Sequence, residues 1–395
     1  MTEGILVVGG GFAGFWAALA AKRVAGNRAL VTLVSREPVL EMRPRLYEAN
    51  PEQLGIDLRP LLEKAGVAFR QGEAAAIDVE RRGVILSAGE RIGFHRLVVA
   101  TGSQMRRPPV SGAEAAFSID TISEAMAFDR RLQEIAQAGG NPSIAIVGAG
   151  FTGIELALEL RDRLALHAGE ALAERARIVL LDRADAVGPE LGSGPRATIE
   201  AALAAARVEL RLSATITGLD PRRITLADGD PMDVDAVVVA TGMQAAPFAA
   251  QVPGERDGLG RVVVDSALRA PAAPDIFVTG DSAAADTGNG HRALQSCQHA
   301  LQLGRFAGEN AARDLLGMPM VPYTQLRYVT CLDLGRSGAV LTQGWERAVT
   351  QAGLETKALK QRINRTVIYP PQDVPGDVLM ALSSIDPTQQ QRPAS

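Results

Sequence analysis

The chain has 395 residues, 47% of them hydrophobic and 22% charged, and a formal net charge of −4. That balance predicts a folded protein of two or three domains and excludes the concentrated basic face that nucleic-acid binding needs. Cys297 and Cys331 supply no disulfide framework, the four histidines show no metal-ligand spacing, and no apolar run approaches the roughly 18 residues of a membrane span. The expected location is therefore the cytoplasm, with no metal site.

The first predicted unit is GILVVGGGFAGFWAALAA at 4–21: a β-rich apolar run, glycines at Gly9, Gly11 and Gly14, then a helical pattern. The G-x-G-x-x-G spacing has a steric logic. The first glycine makes the tight turn, the second lets a pyrophosphate approach the backbone, and the third packs helix on strand. The helix N-terminus then offers its N–H groups and positive dipole end to phosphate. The next strand, ALVTLV, ends at Ser35, where an acidic residue is expected to bind a ribose. Ser35, Arg36 and Glu37 are the candidates there, with Glu37 the carboxylate for the ribose. The run LVVATG at 97–102 adds Thr101 and Gly102 to the same site.

The pattern then repeats. SIAIVGAGFTGIELALEL at 143–160 carries Gly148, Gly150 and Gly153, and VVVATG at 237–242 ends in Gly242. The offsets agree: 148 − 9 = 139 and 242 − 102 = 140. One glycine cluster can be a plain turn, but two copies in strand–turn–helix context predict two dinucleotide sites. One long helix is expected from about Ile154 to Glu174, followed by the strand RIVLLD ending at Asp182. Asp182 favours NADH because a carboxylate repels a 2′-phosphate, while Arg183 keeps NADPH open. A last strand, DIFVTGDSA at 275–283, brings Gly280 and Asp281 beside the first site.

GGGFAG, GAGFTGIE, the two Ala-Thr-Gly segments and the late TGD, in that order over roughly residues 4–320, resemble the two-dinucleotide flavoproteins of the pyridine nucleotide-disulfide oxidoreductase superfamily. That resemblance implies an α/β fold with two Rossmann-like domains and a C-terminal α+β segment. The implied FAD domain is discontinuous, 1–115 and 236–322, the NAD(P)H domain is inserted at 116–235, and 323–395 covers the acceptor side. It also implies FAD on the first module, NADH on the second, and Asp281 bonded to the FAD ribityl chain. Neither fingerprint carries a redox cysteine pair, so disulfide chemistry on the usual plan is excluded.

Shortly after TGD comes QSCQHALQLG at 295–304, which gives Q-x-A-x-Q-x-G from Gln298 through Gln302 to Gly304. This looks like the glutamine motif of type II NADH:quinone dehydrogenases, and it implies that Gln298 and Gln302 line a quinone site. Four residues apart, they share a helix face, and neutral amides can bond a quinone carbonyl in either redox state. The same resemblance puts Glu155 near the nicotinamide–flavin contact. Residue chemistry alone also allows Glu155 to cap its helix and the glutamines to face solvent. Cys297 reads as a packing thiol, with a Cys297–Cys331 redox pair as the sharper alternative. His299 is either a packing residue or a proton donor to the acceptor.

In the C-terminal segment, Leu354, Ala358, Leu359 and Ile363 predict an apolar stripe ringed by Lys357, Lys360, Arg362 and Arg365. Such a helix packs on its own domain, meets a second copy in a homodimer, or touches an anionic membrane face. The last ten residues, DPTQQQRPAS, read as a disordered tail. The function expected is electron transfer from NADH through FAD to a quinone-like or other small acceptor. The rival readings are a reductase for a protein electron carrier and a redox-responsive binding protein.

Overall fold

The computed structural model describes residues 4–229 and 231–385. In chain order the elements that matter are β1 (Gly4–Val8), α1 (Phe12–Ala25), β2 (Leu30–Ser35), β3 (Ala68–Gln71) and β4 (Arg96–Val99). Then follow α2 (Ile122–Ala138), β5 (Ser143–Val147), α3 (Phe151–Ala168), β6 (Arg177–Leu181), β7 (Val208–Arg211) and β8 (Ala236–Val239). The last group is β9 (Ala273–Val278), α4 (Cys297–Leu315), β10 (Val329–Asp333), β11 (Ala339–Gln343), β12 (Ala348–Gly353) and α5 (Leu354–Arg362). The disordered-tail expectation falls at 386–395, outside the described residues.

Two parallel sheets repeat one topology. The first runs β3-β2-β1-β4-β9 with a short antiparallel edge, and the second runs β7-β6-β5-β8. Strand β1 pairs on both sides, Ile5 with Val31 and with Arg96, so its apolar run is buried on both faces. The equivalent pairs in the second sheet are Ile144 with Ile178 and with Ala236. Each module also inserts a three-stranded antiparallel meander, 74–93 in the first and 216–233 in the second. Strand β9 returns to the first sheet, with Ile276 beside Leu97, which places Thr279, Gly280 and Asp281 at the same sheet edge as Gly9.

Two expectations are corrected here. The boundary expected at 235/236 falls just before β8, whose residues 236–239 pair with Ile144–Val147 inside the second sheet. A continuous apolar run such as VVVATG at 237–242 reads as a buried strand but does not reveal which of the two sheets it joins. The long helix expected to about Glu174 stops at Ala168, because Gly169 takes φ +80°, and a separate turn covers Glu170–Ala173.

Helix α4 lies on α1 at close range. A Cβ added at Gly304 would collide with the Ala13 carbonyl oxygen, and one at Gly308 with that of Ala17. Small residues at i and i+4 on both helices therefore let the two backbones touch, and this contact fixes where the first turns of α4 sit. The C-terminal segment reaches those turns through the Tyr328 and Trp345 rings beside His299, while α5 packs on the antiparallel sheet β10-β11-β12.

Candidate active site

The two glycine turns have the same geometry. Gly9 and Gly148 take φ +115° and +112°, and a Cβ at either would strike the carbonyl oxygen of Ala100 or Ala240 respectively. A Cβ at Gly14 or Gly153 would strike the Gly9 or Gly148 carbonyl, so the third glycine is required by helix–strand packing in both copies. Gly11 differs: nothing lies within 4 Å of its Cβ position, and no side chain caps α1. Helix α1 thus presents unbonded N–H groups to open space, as a pyrophosphate requires. At Gly150 the nearest atom is Glu190 Oε1, 2.8 Å from the Cβ position.

Ser35 and Asp182 occupy equivalent strand ends, since Gly9 N–H donates to Val34 O at 2.8 Å and Gly148 N–H to Leu181 O at 2.7 Å. Asp182 shapes the second turn itself: its carboxylate accepts from Ala149 N at 2.7 Å and Ala184 N at 2.8 Å. The Ser35 side chain packs over Gly10, with Oγ 2.6 Å from that Cβ position. Arg36 and Glu37 are exposed, and the Gln71 amide reaches the Glu37 carboxylate at 3.4 Å.

At the same edge of the first sheet, Ser103 Oγ donates to Asp281 Oδ2 at 2.6 Å, and Thr101 Oγ1 lies 3.2 Å from Ser282 Oγ. Burial pushes the Asp281 carboxyl above its ordinary range, and the Arg43 guanidinium opposes that. Gly280 and Gly102 take φ +63° and +72°, and the Gly280 turn lies against Ala13 of α1. Gly242 makes the same turn at +87° in the second module. Thr279 Oγ1 is buried without a protein partner.

The first turns of α4 hold the glutamines. Ser296 caps the helix by accepting from His299 N–H, so the chain enters it with Cys297 and Gln298 in the first turn. Gln302 is buried and its Oε1 has no protein partner, whereas Gln298 is half-buried. His299 is fully buried against Tyr328 and Trp345, and burial, helped by Arg347 and Arg261, pushes its pKa down to about 3. Fully enclosed by those rings, His299 has the surroundings of a packing residue. Over it Trp345 stacks between His291 at 4.3 Å and Tyr328 at 4.7 Å.

Glu155, 4% exposed, meets partners from the C-terminal segment. Its Oε1 lies 2.9 Å from Lys360 Nζ and accepts from Asp333 N–H at 2.9 Å. Burial drives the Glu155 carboxyl up to about 7 while Lys360 pulls it back. Lys360 is 5% exposed and also faces the Tyr47 and Phe151 rings. Asp333 pairs with Lys357 and accepts from Tyr47 Oη at 3.1 Å.

This overturns the expected stripe on α5. Leu354 is 73% exposed, and the buried face is Thr356, Lys360 and Asn364 at i, i+4 and i+8. Carboxylates waiting on α3 and β10 make a polar face the one that docks, which hydrophobic periodicity cannot register. Asp333, Tyr328, Trp345 and Arg347 were missed by sequence reasoning, and Lys360 was read only as part of a basic ring. The only signal available was a lysine spaced four residues from a threonine and an asparagine.

The comparisons with known proteins fit this geometry. The model of the family described as pyridine nucleotide-disulphide oxidoreductase matches residues 4–304. The chain belongs to this family. A relative named as an NADH dehydrogenase-like protein of Mycobacterium tuberculosis is 39% identical over 402 residues, covering 98% of this chain and 99% of its own. A demethylphylloquinone reductase of Synechocystis is 28% identical over 358 residues, with 86% of each chain covered. The sulfide:quinone oxidoreductase of Aquifex aeolicus shares the fold, with a TM-score of 0.76 over 97% of this chain and 92% of its own at 17% identity.

In this pyridine nucleotide-disulphide oxidoreductase the thiols are not poised for disulfide exchange. Cys297 and Cys331 are both free, and burial pushes each up to about 11, so neither holds a thiolate near neutrality. No three His, Cys, Asp or Glu side chains among the described residues are grouped to hold a metal ion. No helix among the described residues is long and apolar enough to cross a membrane.

Proposed function

We propose that this oxidoreductase is an FAD-dependent NADH dehydrogenase that delivers two electrons to a quinone-like acceptor. The observation that carries this reading is the pairing of an uncapped Gly11 turn with a buried, partnerless Gln302 Oε1 and a buried Glu155–Lys360 pair. The first is a diphosphate cradle. The other two are an amide whose Oε1 is free to accept a quinol hydroxyl while its N–H donates to a quinone carbonyl, and a stored proton, the two things a quinone needs from protein.

Gly9, Gly11, Gly14, Thr101, Gly102, Gly280 and Asp281 would hold FAD, with Ser35, Arg36 and Glu37 at its ribose end. Gly148, Gly150, Gly153, Asp182 and Gly242 would hold NADH. FAD, when bound, supplies the two-electron relay between hydride donor and acceptor. The chain's own residues do the rest. Asp281 is fixed by Ser103, so its second oxygen is oriented by packing. Gln298 and Gln302 donate amide N–H bonds to the acceptor carbonyl. Lys360 Nζ and Glu155 Oε1 hold between them the proton that the reduced acceptor requires. Trp345 and Tyr328 exclude water from the α4 end of the site.

A lipid quinone is met at a membrane face. Exposed Leu354, Val367, Val378 and Leu382, with Arg362 and Arg365 among them, give the C-terminal segment apolar and basic side chains for peripheral contact.

The test is anaerobic mixing with NADH, observed at the flavin absorbance, followed by a soluble quinone. Rapid bleaching and rapid recovery are expected. Gln302→Ala should slow recovery while leaving bleaching nearly unchanged. Bleaching that persists after quinone addition would overturn the choice of acceptor.

A further inference from the structure

Reduction of a quinone by NADH consumes one solvent proton: NADH + quinone + H⁺ gives NAD⁺ + quinol. The hydride carries two electrons and one proton, and the second proton must come from water. Glu155 and Lys360 are buried, so that proton has to reach them through protein.

One carboxyl placed for this is Glu159. Glu159 lies four residues beyond Glu155 on α3, on the same helix face, and is half-buried. It lines a cleft of about 310 Å³ that opens between Arg45, Glu48, Asn50, Gln53 and Arg365. Between the cleft and the buried pair stands Asp333. Its N–H bonds Glu155 at 2.9 Å, its Oδ1 pairs with Lys357, and its Oδ2 accepts from Tyr47 Oη at 3.1 Å. Asn364 continues the chain outward, donating to Tyr47 Oη at 3.4 Å and to Glu48 Oε1 at 3.3 Å. Contacts from Glu48 at the cleft through Asn364, Tyr47 and Asp333 thus form one hydrogen-bonded run that reaches Glu155 and its partner Lys360, and Glu159 stands beside it, near Asp333 and Lys357. The fold otherwise buries apolar groups here, and a path this costly to desolvate needs a use.

We propose that Glu159 is the solvent-side relay group: it takes up the proton from the cleft and passes it, by way of Asp333, to Glu155 and Lys360. This rests on the proposed quinone reaction. The charged groups around Glu159 are Lys357 on α5, Asp333 on β10, Asp162 on its own helix, and Glu48, Arg45 and Arg365 lining the cleft. Burial outweighs Lys357 among them and leaves Glu159 titrating at about 7, so it can both take and give a proton near neutrality. Glu159 does not touch the acceptor and acts only through the buried pair.

The experiment measures the two half-reactions of wild type, Glu159→Gln and Glu159→Asp by stopped flow at several pH values, with and without added formate. Glu159→Gln should slow quinone-driven reoxidation roughly tenfold or more while changing reduction by NADH less than about twofold. Glu159→Asp and formate should each restore much of the loss. Unchanged reoxidation, or equal loss in both half-reactions that neither aspartate nor formate repairs, would overturn the assignment. The protonated-carboxyl infrared band, titrated on the same proteins without NADH or quinone, gives a readout independent of turnover. Its amplitude near neutrality should drop in Glu159→Gln, and an identical titration in both proteins would overturn the relay. If wild type does not react with quinone, the acceptor reading fails while this titration still decides the role of Glu159.

Discussion

Lys360 Nζ sits 2.9 Å from Glu155 Oε1 although the two residues come from opposite halves of the chain, one closing α5 and one opening α3. Removing two charges from water is expensive, and a pair of this kind persists only where geometry compensates. The compensation is visible in the Asp333 N–H bond to the same carboxylate and in the Tyr47 and Phe151 rings around the ammonium. Lys360→Met removes the group that holds Glu155 down, so the carboxyl moves further above 7 and stays protonated. Reoxidation by quinone should fall about tenfold with reduction by NADH little changed, and its pH optimum should move upward. Rapid-mixing measurements of each half-reaction check this; equal slowing of both would assign Lys360 to folding.

The same carboxyls make stability depend on pH. Glu155 and Glu159 both titrate at about 7 in the folded protein against an ordinary 4.5. Between those values the folded state keeps protons that the unfolded chain has released, so stability is highest at the acid end and falls as pH rises, levelling off above about 7. The slope is about 1.4 kcal/mol per unit of pH for a fully buried group and less for half-exposed Glu159. Denaturant titrations between about pH 5 and pH 8 should show this decline, and Glu155→Gln should flatten it. An unchanged slope in that variant would move the effect to other groups.

Much of this site was legible in the sequence because it rests on backbone geometry. Gly9, Gly14, Gly148 and Gly153 are glycines for steric reasons, and steric requirements leave fixed spacings. The order GGGFAG, GAGFTGIE, TGD and Q-x-A-x-Q-x-G therefore anticipated both sheets and the position of α4. The C-terminal face was not legible. Its buried side chains, Lys360, Asn364 and Asp333, are polar, and they are buried only because Glu155 and Tyr47 wait for them across the interface. A pairing between residues so distant leaves no local period. The apolar stripe through Leu354 followed the hydrophobic pattern, whereas the face of α5 that docks on its own domain is the polar one.

Gly11 and Gly14 separate packing from ligand binding. A Cβ at Gly14 would collide with the Gly9 carbonyl oxygen, so Gly14→Ala must displace α1 from the sheet. Gly11 takes φ −78° and ψ −170°, which alanine adopts freely, and its Cβ position is open. Gly11→Ala should keep its thermal midpoint as apoprotein but lose bound FAD on purification, whereas Gly14→Ala should lose both. Differential scanning calorimetry and flavin content check this. Full flavin occupancy in Gly11→Ala would mean that the open face of α1 is not the diphosphate site.

Gly304 and Gly308 test whether the α1–α4 contact sets the acceptor site or merely the stability of the domain. Both face backbone, Ala13 O and Ala17 O respectively, so alanine at either should cost about 1–3 kcal/mol by overpacking. They differ in distance from the chemistry. Gly304 lies two residues after Gln302, so pushing α4 outward there moves the amides that meet the acceptor. Gly308 lies more than a turn further along, where the same displacement falls on Glu309 and Asn310, tied to Arg23 and to Val321. Gly304→Ala should therefore slow quinone reoxidation well beyond Gly308→Ala at equal loss of denaturation midpoint. Equal rates in the two variants would show that α4 moves as a rigid rod and that the glycine closing the glutamine motif serves packing alone.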